Sequence, residues 1–270
     1  MARKTLLKPG ERAGLPPAQR FEPKWGRSVG RLEQESQPTP PTNPGLASAR
    51  LREAMVARLR QQGISDERVL QAMQTVPRHA FVDQALASRA YEDSALPIGH
   101  QQTISQPYVV ARSLSLARAY LRPTDRSPTR ALEVGGGCGY QAAVMALIFD
   151  RVVSVERIES LHRIALRNCE SAAVGELALA NLSLRLGDGL ETIPGEDPFD
   201  FIVLAAGMAS VPEDLLRQLR PGGVLVAPLG NPQRLVVVQR PLEGSLEPRS
   251  FPRHSFDDVQ FVPILRGVQL

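Results

Sequence analysis

The sequence predicts an α/β fold: a doubly wound, mostly parallel sheet with an N-terminal helical cap and a C-terminal strand. Three observations predict it. Beyond residue 129, short apolar runs alternate with helical segments, the pattern of βαβ units on a parallel sheet. The first of these runs feeds a glycine-rich turn that opens directly into a helix. Residues 46–120 carry helical rather than two-residue periodicity, so they belong beside the sheet and not in it.

The chain begins with a tail. Residues 1–50 hold nine Lys or Arg against four Glu, a net charge of +5, whereas residues 51–270 carry a net charge of −1. The basic character, a pI of about 9.4, therefore resides in the tail. Eight of the 23 prolines also lie there, including Pro38, Pro40, Pro41 and Pro44. Few apolar residues are present to offset the entropy of ordering, so residues 1–45 are expected to be a disordered, dispensable extension whose removal leaves activity nearly intact. Without that tail no basic surface calls for nucleic acid as a partner.

Residues 46–122 form the expected cap. A first helix starts at Leu46, with Leu51, Met55, Val56 and Leu59 on one face and a stop at Gly63. Ser65 is the expected N-cap of a second helix, Ile64 its hydrophobic staple onto Val69, and Val69, Met73 and Val76 its buried stripe. Pro77, Pro97 and Gly99 break residues 77–105 into an irregular stretch. A third helix is expected over residues 107–120, with Pro107 in its first turn.

Residues 123–270 form the α/β part. Strands are expected at 130–134, 151–156, 182–186, 199–204, 223–228 and 233–240, with helices near 140–149, 159–174 and 212–220. Pro212 suits the start of the last helix and Pro221-Gly222-Gly223 its end. The apolar run at 259–265 reads as a terminal strand, placed at an edge by Pro263.

Composition narrows the setting. The sequence has no apolar run of about 18 residues and no N-terminal apolar stretch, so neither a membrane span nor a secretory signal is expected, and the location expected is cytoplasmic. Cys138 and Cys169 have no metal spacing and read as plain thiols. The four histidines, His79, His100, His162 and His254, show no ligand spacing either, and a structural hydrogen bond is expected of His100.

Chemistry concentrates in Glu133-Val134-Gly135-Gly136-Gly137-Cys138-Gly139-Tyr140-Gln141. Glycines after a strand let a ligand approach the backbone closely. A dinucleotide fingerprint would need a third glycine where Tyr140 stands, and no Gly-Lys-Ser/Thr follows to make a phosphate loop. Glu156 ends the second strand of the unit, 21 residues beyond Gly135, where a carboxylate can hold ribose hydroxyls. Gly187-Asp188-Gly189 follows the next strand, and its Asp could accept from an adenine amino group. Each feature is also an ordinary turn or strand end; their order on successive strand ends points to one nucleoside ligand.

The loop Glu133-x-Gly135-x-Gly137-x-Gly139 resembles the cofactor loop of class I methyltransferases. The stretch 96–108, with Thr103-Ile104-Ser105-Gln106-Pro107, is similar to the signature loop of protein-L-isoaspartate O-methyltransferases. Val76-Pro77-Arg78-His79, Ala90-Tyr91-Glu92-Asp93, Gly139-Tyr140-Gln141-Ala142-Ala143, Leu219-Arg220-Pro221-Gly222-Gly223 and Phe261-Val262-Pro263 extend the likeness over about residues 50–270. The resemblance implies a monomeric protein-repair enzyme that transfers a methyl group from S-adenosylmethionine to the stray carboxylate of isoaspartyl peptides and proteins, leaving S-adenosylhomocysteine. The ester then closes to a succinimide.

It implies Ser105 as the catalytic residue, with Thr103, Ile104, Val262 and Pro263 beside it at the substrate, and Glu133, Gly135, Gly137, Gly139, Glu156, Asp188 and Gly189 at the cofactor. Ser105 could also cap the helix that starts at Pro107. Three departures stand out: Gln101 replaces a glycine that could need positive φ, and Gly136 and Cys138 replace small hydroxyl residues. They keep open a paralogue acting on another peptide carboxylate, a nucleic-acid methyltransferase, and a non-catalytic binding module.

Overall fold

The computed structural model describes residues 44–121, 129–196, 198–244 and 247–270. The expected tail, up to residue 43, and most of the linker that separates cap from sheet lie outside the described residues.

The cap starts with α1 (Pro44–Gln61) and α2 (Glu67–Thr75). Asp66, not Ser65, caps α2: its carboxylate accepts from the backbone N–H groups of Arg68 and Val69 and also binds Arg118. An acidic side chain at that point satisfies two orphan donors and sits at the positive end of the helix. Ile64 is buried as expected of a staple, but Leu51 is 45% exposed, so the apolar stripe of α1 begins at Met55.

The stretch expected to be irregular holds a β-hairpin, β1 (Leu96–Gly99) and β2 (Gln102–Ile104), in which Leu96 faces Ile104 and Pro97 faces Thr103. Its tip is unusual. Gly99, His100 and Gln101 all take positive φ, at 91°, 51° and 57°, so the bulky Gln101 adopts the conformation foreseen for a glycine there. From the hairpin the chain enters α3 (Pro107–Tyr120), with Gln106 at the N-cap and Pro107 in the first turn; Ser105 does not cap it.

The sheet strands follow in βα order: β3 (Arg130–Val134), α4 (Tyr140–Ala146), β4 (Arg151–Glu156), α5 (Glu159–Glu170), the single turn α6 (Ala172–Gly175), β5 (Leu182–Leu186), β6 (Phe199–Leu204), α7 (Glu213–Arg217), β7 (Leu219–Leu229), β8 (Arg234–Gln239) and β9 (Arg253–Asp258). The seven strands lie in the order β5-β4-β3-β6-β7-β8-β9, parallel from β5 to β7, with β8 antiparallel to both its neighbours.

Two boundaries differ from expectation. Pro212 is the N-cap of α7 rather than its first residue, and Pro221-Gly222-Gly223 lies inside β7. There the pairing with β6 shifts register, from Phe199 opposite Leu219 to Phe201 opposite Val224, with Gly222 at φ 76° and a Cβ on Gly223 falling 2.9 Å from the Arg220 carbonyl oxygen. Two glycines are what this bulge requires. At the C-terminus the edge strand is β9, and the run 259–265 continues as an irregular segment tied to Gly207.

Strands buried on both faces read as nearly continuous apolar runs, and the alternation survives in the packing. Ala131, Val152, Phe201, Val203, Val224 and Val237 pack with α1 to α4 on one face. Leu132, Val153, Ile202, Leu225 and Val238 form the second core with Leu215 and Leu216 of α7. The connection after β3 leads to β4 on one side, and the connection after β5 returns to β6 on the other side of β3, so the strand order reverses there and opens a crevice beyond the carboxyl ends of the strands.

Candidate active site

The crevice is an open cleft of about 890 Å³, solvent at its mouth included. Its floor is the turn after β3. Gly135 and Gly137 take positive φ, 93° and 54°, and both line the space above the strand ends. Gly139, also at positive φ, does not line the cleft: a Cβ there would stand 3.2 Å from Ala165 and 3.3 Å from the Cys169 sulfur. That glycine lets α5 approach the start of α4.

Three acids surround the floor. Glu156, at the end of β4, is buried, and its carboxylate accepts from the amides of Gly137 and Ile158, both at 2.8 Å. It thus braces the glycine turn from below. Glu133 is 1% exposed and accepts from the Ser154 hydroxyl at 2.5 Å. Burial pushes its pKa up to about 8, against the Ser154 hydrogen bond and with the help of nearby Glu156. Asp188 caps its own turn through Leu190 N–H at 3.0 Å and accepts from the Gly267 amide at 2.8 Å. Gly189, on the same turn, cannot carry a side chain, because a Cβ would lie 2.7 Å from a Val134 methyl.

The state of Glu133 has a measurable consequence. The folded chain holds a proton that the unfolded chain releases between about 4.5 and about 8, so this group makes stability fall as pH rises through that window. Glu133→Gln is expected to remove that part of the slope of Tm against pH, and an unchanged slope would refute it.

The roof comes from the cap. Thr103, Ile104 and Ser105 at the end of the hairpin line the cleft, and Ile98 of β1 would meet a Cβ on Gly137 at 3.1 Å. The hairpin and the glycine turn are therefore in contact range. The hairpin tip is fastened to the other wall by His100, whose Nε2 is 2.7 Å from the Ser160 hydroxyl at the start of α5, the structural bond expected of it. His79 bonds the Tyr91 hydroxyl at 2.7 Å and His254 packs against Tyr120, both outside the cleft.

The last segment of the chain makes the rim. Val262 accepts from Gly207 N–H at 2.8 Å, Gln269 pairs with Arg157 and Glu159, and Val262 and Pro263 line the cleft between them. Eleven of the residues expected at the site thus face one space, with Gly139 the exception. Sequence reasoning missed other lining residues. Gln141 lies within the expected helix and Ala205 one step past β6, Ile98 lies in the unforeseen hairpin, and Gly267, outside the lining, reaches Asp188 through its backbone, which no residue pattern reveals.

Gly136 and Cys138 also differ from expectation in what they do. A Cβ on Gly136 would collide with the Ser154 hydroxyl, so its absence gives Ser154 the room it occupies against Glu133. Cys138 is buried, its thiol pushed up to about 11 by that burial, and its carbonyl oxygen accepts from Asn168 at 3.0 Å. Among the described residues no cluster of side chains suits a metal ion, and no helix is long and apolar enough to cross a membrane.

The lining fits a cationic nucleoside. Three carboxyl side chains converge on a glycine cradle whose backbone is open to close approach, while the cap supplies neutral hydroxyls. The family model for protein-L-isoaspartate(D-aspartate) O-methyltransferase matches residues 49–269. The chain is 50% identical over 250 residues to the protein-L-isoaspartate O-methyltransferase of Bordetella parapertussis, covering 90% of each chain. It is 53% identical over 232 residues to that of Bordetella petrii, covering 84% of this chain and 79% of the relative.

A crystal structure of the beta-aspartate methyltransferase from Plasmodium falciparum in complex with S-adenosyl-L-homocysteine superposes with a TM-score of 0.66 at 25% identity, over 78% of this chain and 97% of that one. The cleft, its acids and the length of the match together make this chain a member of the protein-L-isoaspartate(D-aspartate) O-methyltransferase family.

Proposed function

We propose that the chain performs the reaction of its family in this cleft, as a cytoplasmic monomer that methylates the carboxylate of isoaspartyl residues in damaged proteins. S-adenosylmethionine, when bound, supplies an electrophilic methyl group on a positively charged sulfur. Glu156 would hold the ribose hydroxyls and Asp188 the adenine amino group. Gly135, Gly137 and Gly189 leave space for the nucleoside, and Glu133, protonated in the free chain at neutral pH, would give up its proton beside the cationic end.

The substrate side follows from elementary chemistry. A carboxylate with a reference pKa of about 4 is ionised at neutral pH, so no general base has to create the nucleophile. The protein must align it instead, and correct alignment lowers a barrier by up to about 7–11 kcal/mol. Ser105 is suited to this because its hydroxyl can hold one oxygen while the other attacks. A cation at that place would strongly stabilise the negative charge that the reaction consumes; a neutral hydroxyl does so less. Thr103, Ile104, Val262 and Pro263 flank the peptide.

One observation carries this reading: the hydroxyl turn at 103–105 and the glycine turn at 135–137 line the same cleft. The test is methyl transfer from labelled S-adenosylmethionine to an isoaspartyl peptide and to its aspartyl twin. Turnover of the first and not the second is expected. Equal turnover of both, or none with either despite cofactor binding, would refute the proposal.

A further inference from the structure

The motif Val76-Pro77-Arg78-His79 has no part in the reaction as described, yet Arg78 is the largest fully buried side chain, at 0% exposure. It opens a short 3-10 turn over Arg78–Phe81. Its Nε donates to the carbonyl oxygen of Ala90 and its Nη2 to the carbonyl oxygen of Ser105, both at 2.7 Å. The guanidinium carbon lies 4.8 Å from the centroid of the Tyr140 ring, the first residue of α4 after the glycine turn. Phe81 meets the same ring edge-on at 5.5 Å. One side chain thus touches the cap, the hydroxyl turn and the cofactor helix.

Stability alone does not account for a cation here. Its hydrogen-bond partners are two carbonyls and not a carboxylate, and Nη1 is buried with no partner. Desolvation of such a charge is costly, and an apolar residue of similar volume is often at least as stable. What an apolar residue lacks is the planar fork that can hold two carbonyls in fixed directions while stacking on a ring, and lysine lacks it too.

We propose that Arg78 is a positioning residue for methyl transfer: by gripping the Ser105 carbonyl while stacked on Tyr140, it sets the Ser105 hydroxyl at a fixed distance from the glycine turn. The proposal rests on the role given to Ser105 above. Arg78 lies outside the cleft lining and acts only through the turn it holds.

The experiment compares the full-length wild type, Arg78→Lys, Ser105→Ala and the double variant. It reads kcat and KM for an isoaspartyl peptide, Kd for S-adenosylhomocysteine by calorimetry, and Tm. Arg78→Lys is expected to lower kcat by about 100-fold, the scale of a misplacement near 1 Å, with the Kd for S-adenosylhomocysteine unchanged. The double variant is expected to be no slower than Ser105→Ala, because both changes remove the same alignment. A normal kcat in Arg78→Lys, losses that multiply, or a loss of S-adenosylhomocysteine affinity matching the loss of kcat would overturn the proposal. So would failure of both Arg78→Lys and Arg78→Gln to fold, which would make the residue part of the core only. If the wild type itself does not methylate the peptide, the functional reading falls and this role with it; wild-type turnover beside an unaffected Arg78→Lys sinks the positioning role alone.

Discussion

Glu156→Ala is expected to raise the Kd for S-adenosylmethionine by about 100-fold or more and to lower Tm in the same protein. The two effects share one cause. The Glu156 carboxylate accepts from the amides of Gly137 and Ile158, and in the variant both donors lose their acceptor, Ile158 at a buried position and Gly137 at a half-buried one. An unsatisfied buried donor costs about 1–3 kcal/mol, and a hydrogen bond to a charged group contributes about 1.5–3 kcal/mol. The glycine turn therefore loses its brace as the ribose loses the acceptor proposed for it. Glu156→Gln keeps one acceptor oxygen, so it should fall between wild type and alanine on both scales. Calorimetric titration and a thermal melt on the three proteins check this, and an alanine variant with normal affinity would remove Glu156 from the cofactor site.

Ser105→Ala should show the opposite division. Cofactor affinity and Tm are expected to stay near wild type, because the side chain does not cap α3 and its backbone carbonyl keeps its bond to Arg78. The loss is expected in kcat for the isoaspartyl peptide, by about 100-fold, the usual cost of a reactant held slightly out of line. Ser105→Thr retains the hydroxyl and should recover part of the rate. Steady-state kinetics on the three proteins decide it: alanine with wild-type kcat would mean that the carboxylate is oriented by other groups.

The contrast between the two residues reflects what can be read from a linear chain. The sheet was legible because its strands are buried on both faces and therefore read as apolar runs, so β3 to β6 fall on the expected residues. The three acids of the cleft stand on the same runs: Glu133 lies within β3, Glu156 ends β4 and Asp188 follows β5 by two residues. The hairpin β1–β2 was not: Pro97 and Gly99 mask its alternation, and its tip depends on three consecutive positive φ angles that His100 and Gln101 do not advertise. The C-terminal strand was assigned to apolar residues 259–265, whereas the edge strand β9 is the polar run Arg253–Asp258 and the apolar residues border the cleft. An edge strand needs no apolar face, and a ligand site does. Arg78 was quoted within a motif, but its bonds reach carbonyls 12 and 27 residues away, and no local pattern encodes contacts at that separation.

The acidic cluster shows a similar limit. Glu133 was recognised by its place before the glycines, but its protonation depends on being 1% exposed beside Ser154 and near Glu156, which only the packed sheet creates. Gly136, a departure from the expected hydroxyl, makes room for that same Ser154. A substitution that looks like a loss in the sequence is thus matched by a partner in the fold.

A crystal structure with S-adenosylhomocysteine and an isoaspartyl peptide bound together would test the shared cleft most directly. The account predicts the nucleoside on Glu156 and Asp188, and the peptide carboxylate within hydrogen-bonding reach of the Ser105 hydroxyl, facing the sulfur. A carboxylate seated elsewhere, with the Ser105 hydroxyl turned away from it, would contradict the account.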